Sequence, residues 1–192
     1  MVDRIHQKFP HTHIWEYTWD DLRFPATAIN PPGQASDPDV EATSGLLLFD
    51  ASAVELIYAF AQLPHTYARG TDLEPHVHWQ KTTSAAGDVV WQCSYKFARI
   101  GETMDSSWTD LESSTVSTGT PDTDTADKHL ITAFDSIDGT GTDISDCILF
   151  RISRLGDDAS DGYGADARLL EFDVHFQSDA PGSDEEFIKN YD

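Results

Sequence analysis

From residue 46 onward, apolar side chains recur at every second position. Leu73, Pro75, Val77 and Trp79 alternate with Glu74, His76, His78 and Gln80. Trp91, Cys93, Tyr95 and Phe97 alternate with Gln92, Ser94 and Lys96. Ile148, Phe150 and Ile152 alternate with Leu149, Arg151 and Ser153. Leu170, Phe172, Val174 and Phe176 alternate with Glu171, Asp173, His175 and Gln177. A period of two places successive side chains on opposite faces of a strand, and a helix cannot use it. Shorter apolar runs at 46–49 and 54–63 add two strands. The segment 129–137 reads as a further strand or a short helix. The Ser/Thr/Asp/Gly-rich stretch 101–127 holds one weak strand near 113–118.

Seven to eight strands separated by turn signals, with no repeat of 20–50 residues and no long amphipathic helix, define an all-β chain. The expected fold is an antiparallel eight-stranded jelly-roll sandwich or barrel with an irregular N-terminal arm. The turn Ala86-Gly87-Asp88 reads as a hairpin between the strands that flank it. The jelly-roll order also makes a stricter demand. The third strand (72–81) would lie beside the eighth (166–178), and the fourth (88–99) beside the seventh (145–155). His76 and His78 would then share a sheet with Asp173 and His175.

Three regions follow: an aromatic-rich arm or linker at 1–44, a jelly-roll domain at 45–180, and a polar tail at 181–192. The arm carries Phe9, Trp15, Tyr17, Trp19 and Phe24 with no clear period and ends in a Pro/Gly/Asp stretch. Such a segment cannot make its own core. It is expected to lie on this domain, a neighbouring copy or a partner, with those five rings as interface anchors. Trp15, Tyr17 and Trp19 alternate, which permits a short strand.

Charge narrows the functional classes. The 192 residues hold 34 Asp+Glu against 12 Lys+Arg, a formal net charge of -22. Nucleic-acid binding needs basic groups to displace counterions, and anionic membranes attract basic segments, so neither partner is expected. Hydrophobic residues at 39% and aromatics at 11% are too many for a disordered acidic tail. Asp (25) far outnumbers Glu (9) and Lys is scarce (5), which fits a hypersaline solvent that screens self-repulsion. An ordinary acidic mesophilic protein is the alternative. Cys93 and Cys147 match no zinc spacing and are expected as buried free thiols, with a cross-strand disulfide as the alternative.

Four constellations invite chemistry. His76, His78 and His175 would put imidazoles on one sheet face, in the manner of a three-His metal site with an open position. The HxH spacing is superficially similar to that of cupins, but no Glu follows His78 at the cupin interval. Because Val77, Trp79, Val174 and Phe176 make better core residues, the histidine face should point outward. The favoured reading there is a polar surface of cross-strand hydrogen bonds or a packing face between subunits. The loop at 156–166 offers Asp157 and Asp161 for a structural Ca2+ or Mg2+, but Arg168 stands where a closing Glu would be. A solvated hairpin loop is the alternative. Asp122, Asp124 and Asp127 before His129 are irregularly spaced and read as a solvated loop. No nucleophile elbow, Cys-centred motif or phosphate-cradling glycine loop is present, so no enzyme and no resident cofactor are expected. Trp108 and Tyr163, placed in loops, are candidates for stacking on a sugar.

Several strings together resemble small structural proteins of tailed viruses of bacteria and archaea. They include Leu63-Pro64-His65-Thr66-Tyr67 and Gly70-Thr71-Asp72-Leu73-Glu74-Pro75-His76-Val77-His78-Trp79. Further on come His129-Leu130-Ile131-Thr132-Ala133-Phe134 and Leu149-Phe150-Arg151-Ile152-Ser153-Arg154. Ile137-Asp138-Gly139-Thr140-Gly141, Leu169-Leu170-Glu171-Phe172-Asp173-Val174-His175-Phe176-Gln177 and the tail Gly182-Ser183-Asp184-Glu185-Glu186 complete the set. The resemblance spans roughly 45–190. It implies a jelly-roll virion protein, of the kind that decorates or cements a capsid as a homotrimer. Its partners would be its own copies and the major capsid or other virion proteins. With the acidic composition, it implies a haloarchaeal tailed virus, with synthesis in the host cytoplasm and residence in the virion. A turret, fibre or tail-associated receptor- or carbohydrate-binding module is the first alternative, and a cupin-like metal-dependent enzyme the second.

Overall fold

The computed structural model describes residues 17–31, 33–111, 114–116, 125–183, 185–187 and 189. Phe9, Trp15, Asp122 and Asp124 lie outside them. Among the described residues, eleven strands run in chain order. The first five are β1 (Thr18–Pro25), β2 (Asp39–Val40), β3 (Leu47–Phe49), β4 (Val54–Gln62) and β5 (Leu73–Lys81). The rest are β6 (Val89–Ala98), β7 (Thr109–Asp110), β8 (Ser114–Val116), β9 (His129–Ala133), β10 (Cys147–Leu155) and β11 (Ala167–Ser178). One 3-10 turn, Ala26–Ala28, is the helical element among the described residues.

The strands form two antiparallel sheets. The first has the order β2-β3-β11-β5-β9, with β1 also on β11. The second has the order β4-β10-β6-β7, with β8 also on β6. If β3, β4, β5, β6, β7/β8, β9, β10 and β11 are numbered one to eight, the orders are 1-8-3-6 and 2-7-4-5. This is the jelly-roll arrangement, and both expected neighbour pairs are present: β5 beside β11 and β6 beside β10.

The hairpin expected across Ala86-Gly87-Asp88 does not form, because β5 and β6 belong to different sheets. Both strands bury their apolar face on the same core, so they pack face to face and do not pair edge to edge. Trp79 and Trp91 meet across the sandwich at 6.0 Å in a T-shaped contact. Phe49 meets Trp91 at 5.0 Å, and Phe150 meets Phe172 at 5.1 Å. Each such pair adds about 0.5–1.5 kcal/mol beyond the burial of its area. Gly87 turns the corner at φ +137°, where a side chain would also collide with the carbonyl of Gly162.

The last strand carries one irregularity. Between Leu169 and Glu171 the register with β5 shifts, so Leu169 is the buried residue and Leu170 is only half-buried. From Glu171 onward the alternation holds, with Phe172, Val174 and Phe176 in the core. The arm is more regular than expected. β1 pairs with β11 over its whole length, Thr18 opposite Ser178 through Pro25 opposite Glu171. It occupies the edge of β11 that β3 leaves free after Leu169. Phe24 therefore faces inward, half-buried, and stacks on Phe172 at 5.5 Å against this domain's own core. Tyr17 and Trp19 remain exposed.

A buried polar knot closes one end of the sandwich. Arg154 shares the inward parity of Ile148, Phe150 and Ile152 and is fully buried. Its five N–H donors are all used: two on the Asp161 carboxylate at 2.8 and 3.0 Å, and one each on the carbonyls of Phe49, Ala165 and Tyr163. The loop after β10 is thereby folded back over the core. Tyr163 is buried with it, and its hydroxyl oxygen accepts a hydrogen bond from the Thr83 backbone N–H at 2.8 Å. Tyr163 consequently has no face to offer a sugar, contrary to expectation. Asp161 likewise faces no cation-binding loop: Arg154 and the Val90 N–H take its oxygens, while Asp157 is exposed. Cys93 is a buried free thiol whose pKa burial pushes far up, and Cys147 is free and half-buried.

Candidate functional site

The outer face of the first sheet gathers histidines. On β5 the parity that buries Val77 and Trp79 turns His76 and His78 outward, as the sequence required. Register then sets their neighbours. Asp173 stands opposite His76, Glu171 opposite His78 and His175 opposite Glu74. From the far side of β11, β1 contributes Arg23 opposite Asp173 and Asp21 opposite His175. From the far side of β5, β9 places His129 opposite Gln80 and Ile131 opposite His78.

Four imidazoles result, in a continuous row. Ring centroids are 4.3 Å apart from His175 to His76, 4.9 Å from His76 to His78, and 4.9 Å from His78 to His129. Asp173 lies beneath them. His76 Nε2 is 2.5 Å from its Oδ1, and His78 Nε2 is 3.3 Å from its Oδ2. His76 Nδ1 contacts the Glu74 carbonyl at 3.3 Å, and His78 Nδ1 contacts His129 Nε2 at 2.6 Å. Asp21 reaches His175 Nε2 at 3.2 Å. Arg23 clasps Glu171 with two hydrogen bonds, at 2.8 and 2.7 Å, and leaves Asp173 to the histidines.

Although it belongs to the outer face, the centre of this cluster is buried: His76 is 6% exposed and Asp173 is 5% exposed. Burial penalises the His76 imidazolium, but the contact with Asp173 and its charge outweigh that, and the His76 pKa stands above its usual value. Burial prevails at His78, helped by the neighbouring His76, and its pKa falls below the usual value. Burial also works against the Asp173 carboxylate, yet His76, His78 and His175 together hold its pKa below the ordinary range. The close approach of His76 is nevertheless not a well-directed hydrogen bond, because Oδ1 of Asp173 has no partner of acceptable geometry.

Among the described residues, His76, Asp173 and His175 can bring ligand atoms within 4.8 Å of one another. The expected trio His76, His78 and His175 is thus assembled on one face, with Asp173 at its centre. His129 and Asp21 were not foreseen as members. His129 was visible as a histidine opening a strand, but its position depends on β9 pairing with the other edge of β5. An open depression of about 430 Å³, lined by Trp19, Gly70, Thr71, Asp72, Glu74 and Gln177, adjoins the cluster on its Glu74 side.

The outer face of the second sheet differs. Tyr58 and Phe60 on β4 are 43% and 59% exposed. Trp108 is half-buried beside them, its ring centroid 6.0 Å from that of Tyr58. Arg151 and Lys96 lie over the Trp108 ring at 5.0 and 5.1 Å, the range of cation–π contacts. Arg151 also pairs with Asp110 at 3.2 Å.

No protein-family model matches this sequence, and no curated protein matches it significantly. Among solved structures, the chain is similar to the N-terminal CBM22-1–GH10 modules of Clostridium thermocellum endo-1,4-β-D-xylanase 10B, solved with xylohexaose. The identity is 12% and the TM-score 0.38, over 82% of this chain and 26% of that one. The chain therefore spans about a quarter of that structure's length, and the jelly-roll assignment rests on the strand order described above.

Proposed function

We propose that this chain is a virion structural protein that decorates or cements the capsid of a tailed virus as a symmetric oligomer, most simply a homotrimer. The observation that carries this reading is the outer face of the second sheet. Tyr58, Phe60 and Trp108 form an aromatic surface flanked by Arg151 and Lys96. Buried rings and arginines dominate interface energetics. On a chain of net charge -22, cations grouped beside exposed rings suit an acidic neighbour, including the next copy of the same chain. A head-to-tail contact of that kind closes into a ring when the rotation permits. Tyr17 and Trp19, exposed beside β11, provide a second contact toward the shell. The strings that resemble virion proteins fall mainly on β5, β9, β10 and β11, the framework that holds both outer faces in place. The acidity then reflects a saline medium.

Mass spectrometry and a reconstruction of the purified virion test this. The expected result is the chain at a fixed stoichiometry on the shell lattice. Its absence from intact virions overturns the reading. A receptor- or carbohydrate-binding module on a turret, fibre or tail is a second reading, favoured by the Tyr58–Trp108 pair. It requires glycan binding that disappears in Trp108→Ala.

A further inference from the structure

We propose that His76, Asp173 and His175 bind one divalent transition-metal ion on the outer face of the first sheet, with His78 completing the set. The backbone already fixes most of the geometry. His76 and Asp173 are direct cross-strand partners, and His175 lies two residues beyond Asp173 on the same face. Ligand atoms within 4.8 Å of one another need only side-chain rotation to reach the roughly 3.3 Å separation that a tetrahedral ion with bonds of about 2.0–2.2 Å imposes.

An independent observation points to a ligand. Asp173 is 5% exposed and its Oδ1 makes no directed hydrogen bond. The imidazoles stabilise its charge, but no directed hydrogen bond uses the lone pairs of that buried oxygen, and an ion would take one of them. The surrounding contacts fit the same assignment. Ligating histidines commonly donate their second ring N–H to a carbonyl or carboxylate, which fixes ring orientation and tautomer. His76 has the Glu74 carbonyl at 3.3 Å, and His175 has Asp21 at 3.2 Å.

The donor set selects the class of ion. Imidazoles with one carboxylate suit Zn2+, Co2+, Ni2+ or Fe2+; Ca2+ and Mg2+ prefer all-oxygen shells. The Ca2+ or Mg2+ expected at Asp157 and Asp161 is therefore not the ion assigned here. The chain's negative field raises the local concentration of any dication, so a test must separate this site from loose association with surface carboxylates.

The experiment uses the full chain, purified without a polyhistidine tag and stripped by chelator. Isothermal titration with Zn2+, and visible absorption with Co2+, should give one ion per chain and the d–d bands of nitrogen and oxygen ligands. Millimolar Mg2+ or Ca2+ should not displace it. The double variant His76→Gln/His175→Gln should bind at least about 100-fold more weakly, while His65→Gln, away from the cluster, should bind as the parent does. Should the double variant fail to fold, the unmodified chain still decides. Paramagnetic broadening by Co2+ should fall on the ring protons of His76, His78 and His175 and spare His65. No stoichiometric binding, broadening spread evenly over the histidines, or equal affinity in a folded double variant would each overturn the site. None of these results depends on whether the chain is found in a virion.

Discussion

Asp161 and Asp173 are both carboxylates withdrawn from water, and they have opposite surroundings. Asp161 sits among groups that use it fully: two donors of Arg154 and the N–H of Val90. Asp173 is ringed by imidazoles and still has an oxygen without a directed partner. A polar group that is completely satisfied inside a protein contributes to holding one structure. A buried one left partly unsatisfied raises the free energy of the chain as it stands and gains from a ligand. The contrast separates a structural carboxylate, in the loop after β10, from a candidate binding one, in the middle of β11.

The sharpest way to break the contrast is Asp161→Ala. It strands a fully buried guanidinium and should cost about 3–5 kcal/mol in urea unfolding. A loss below about 1 kcal/mol would mean that Arg154 is not held as described. Next, saturating Zn2+ should raise the stability of the parent chain by about 2.7 kcal/mol at a hundred times the dissociation constant. In Asp173→Asn, where three imidazoles remain, the same addition should stabilise clearly less, and the metal-free variant should lose only about 1 kcal/mol. Smallest is Tyr58→Ser with Phe60→Ser on the other sheet. Exposed side chains change folding stability by less than about 0.5 kcal/mol, yet light scattering should show a smaller oligomer. An unchanged oligomer would move the assembly surface elsewhere.

Much of this was legible because strand parity is strict. The alternation around Val77 and Trp79 forces His76 and His78 outward, and jelly-roll order forces β5 against β11. Together they place His76 and His78 on a sheet beside Asp173 and His175; that His76 stands opposite Asp173 is a matter of register, which the structure supplies. What could not be read depends on long-range choices. Asp21 and Arg23 arrive because β1 takes the edge of β11 that β3 vacates. No local pattern announces that. The hairpin reading failed because a turn signal says that the chain reverses, not whether it returns in the same sheet. Tyr163 looked exposed because its loop is rich in Asp and Gly. The missed clue was Arg154, on the apolar parity of β10, which required an acid from nearby and found it in Asp161.

In concentrated brine most electrostatics in this molecule fade. The Debye length shrinks to about 3 Å at 1 M salt, and contacts such as Arg23–Glu171, with an arginine side chain 63% exposed, are bathed in competing ions. The Arg154–Asp161 contact, at 0% exposure on both sides, is out of their reach. It is an ionic rivet whose grip does not loosen as the medium changes, so the corner it closes keeps the same strength in fresh water and in a salt lake.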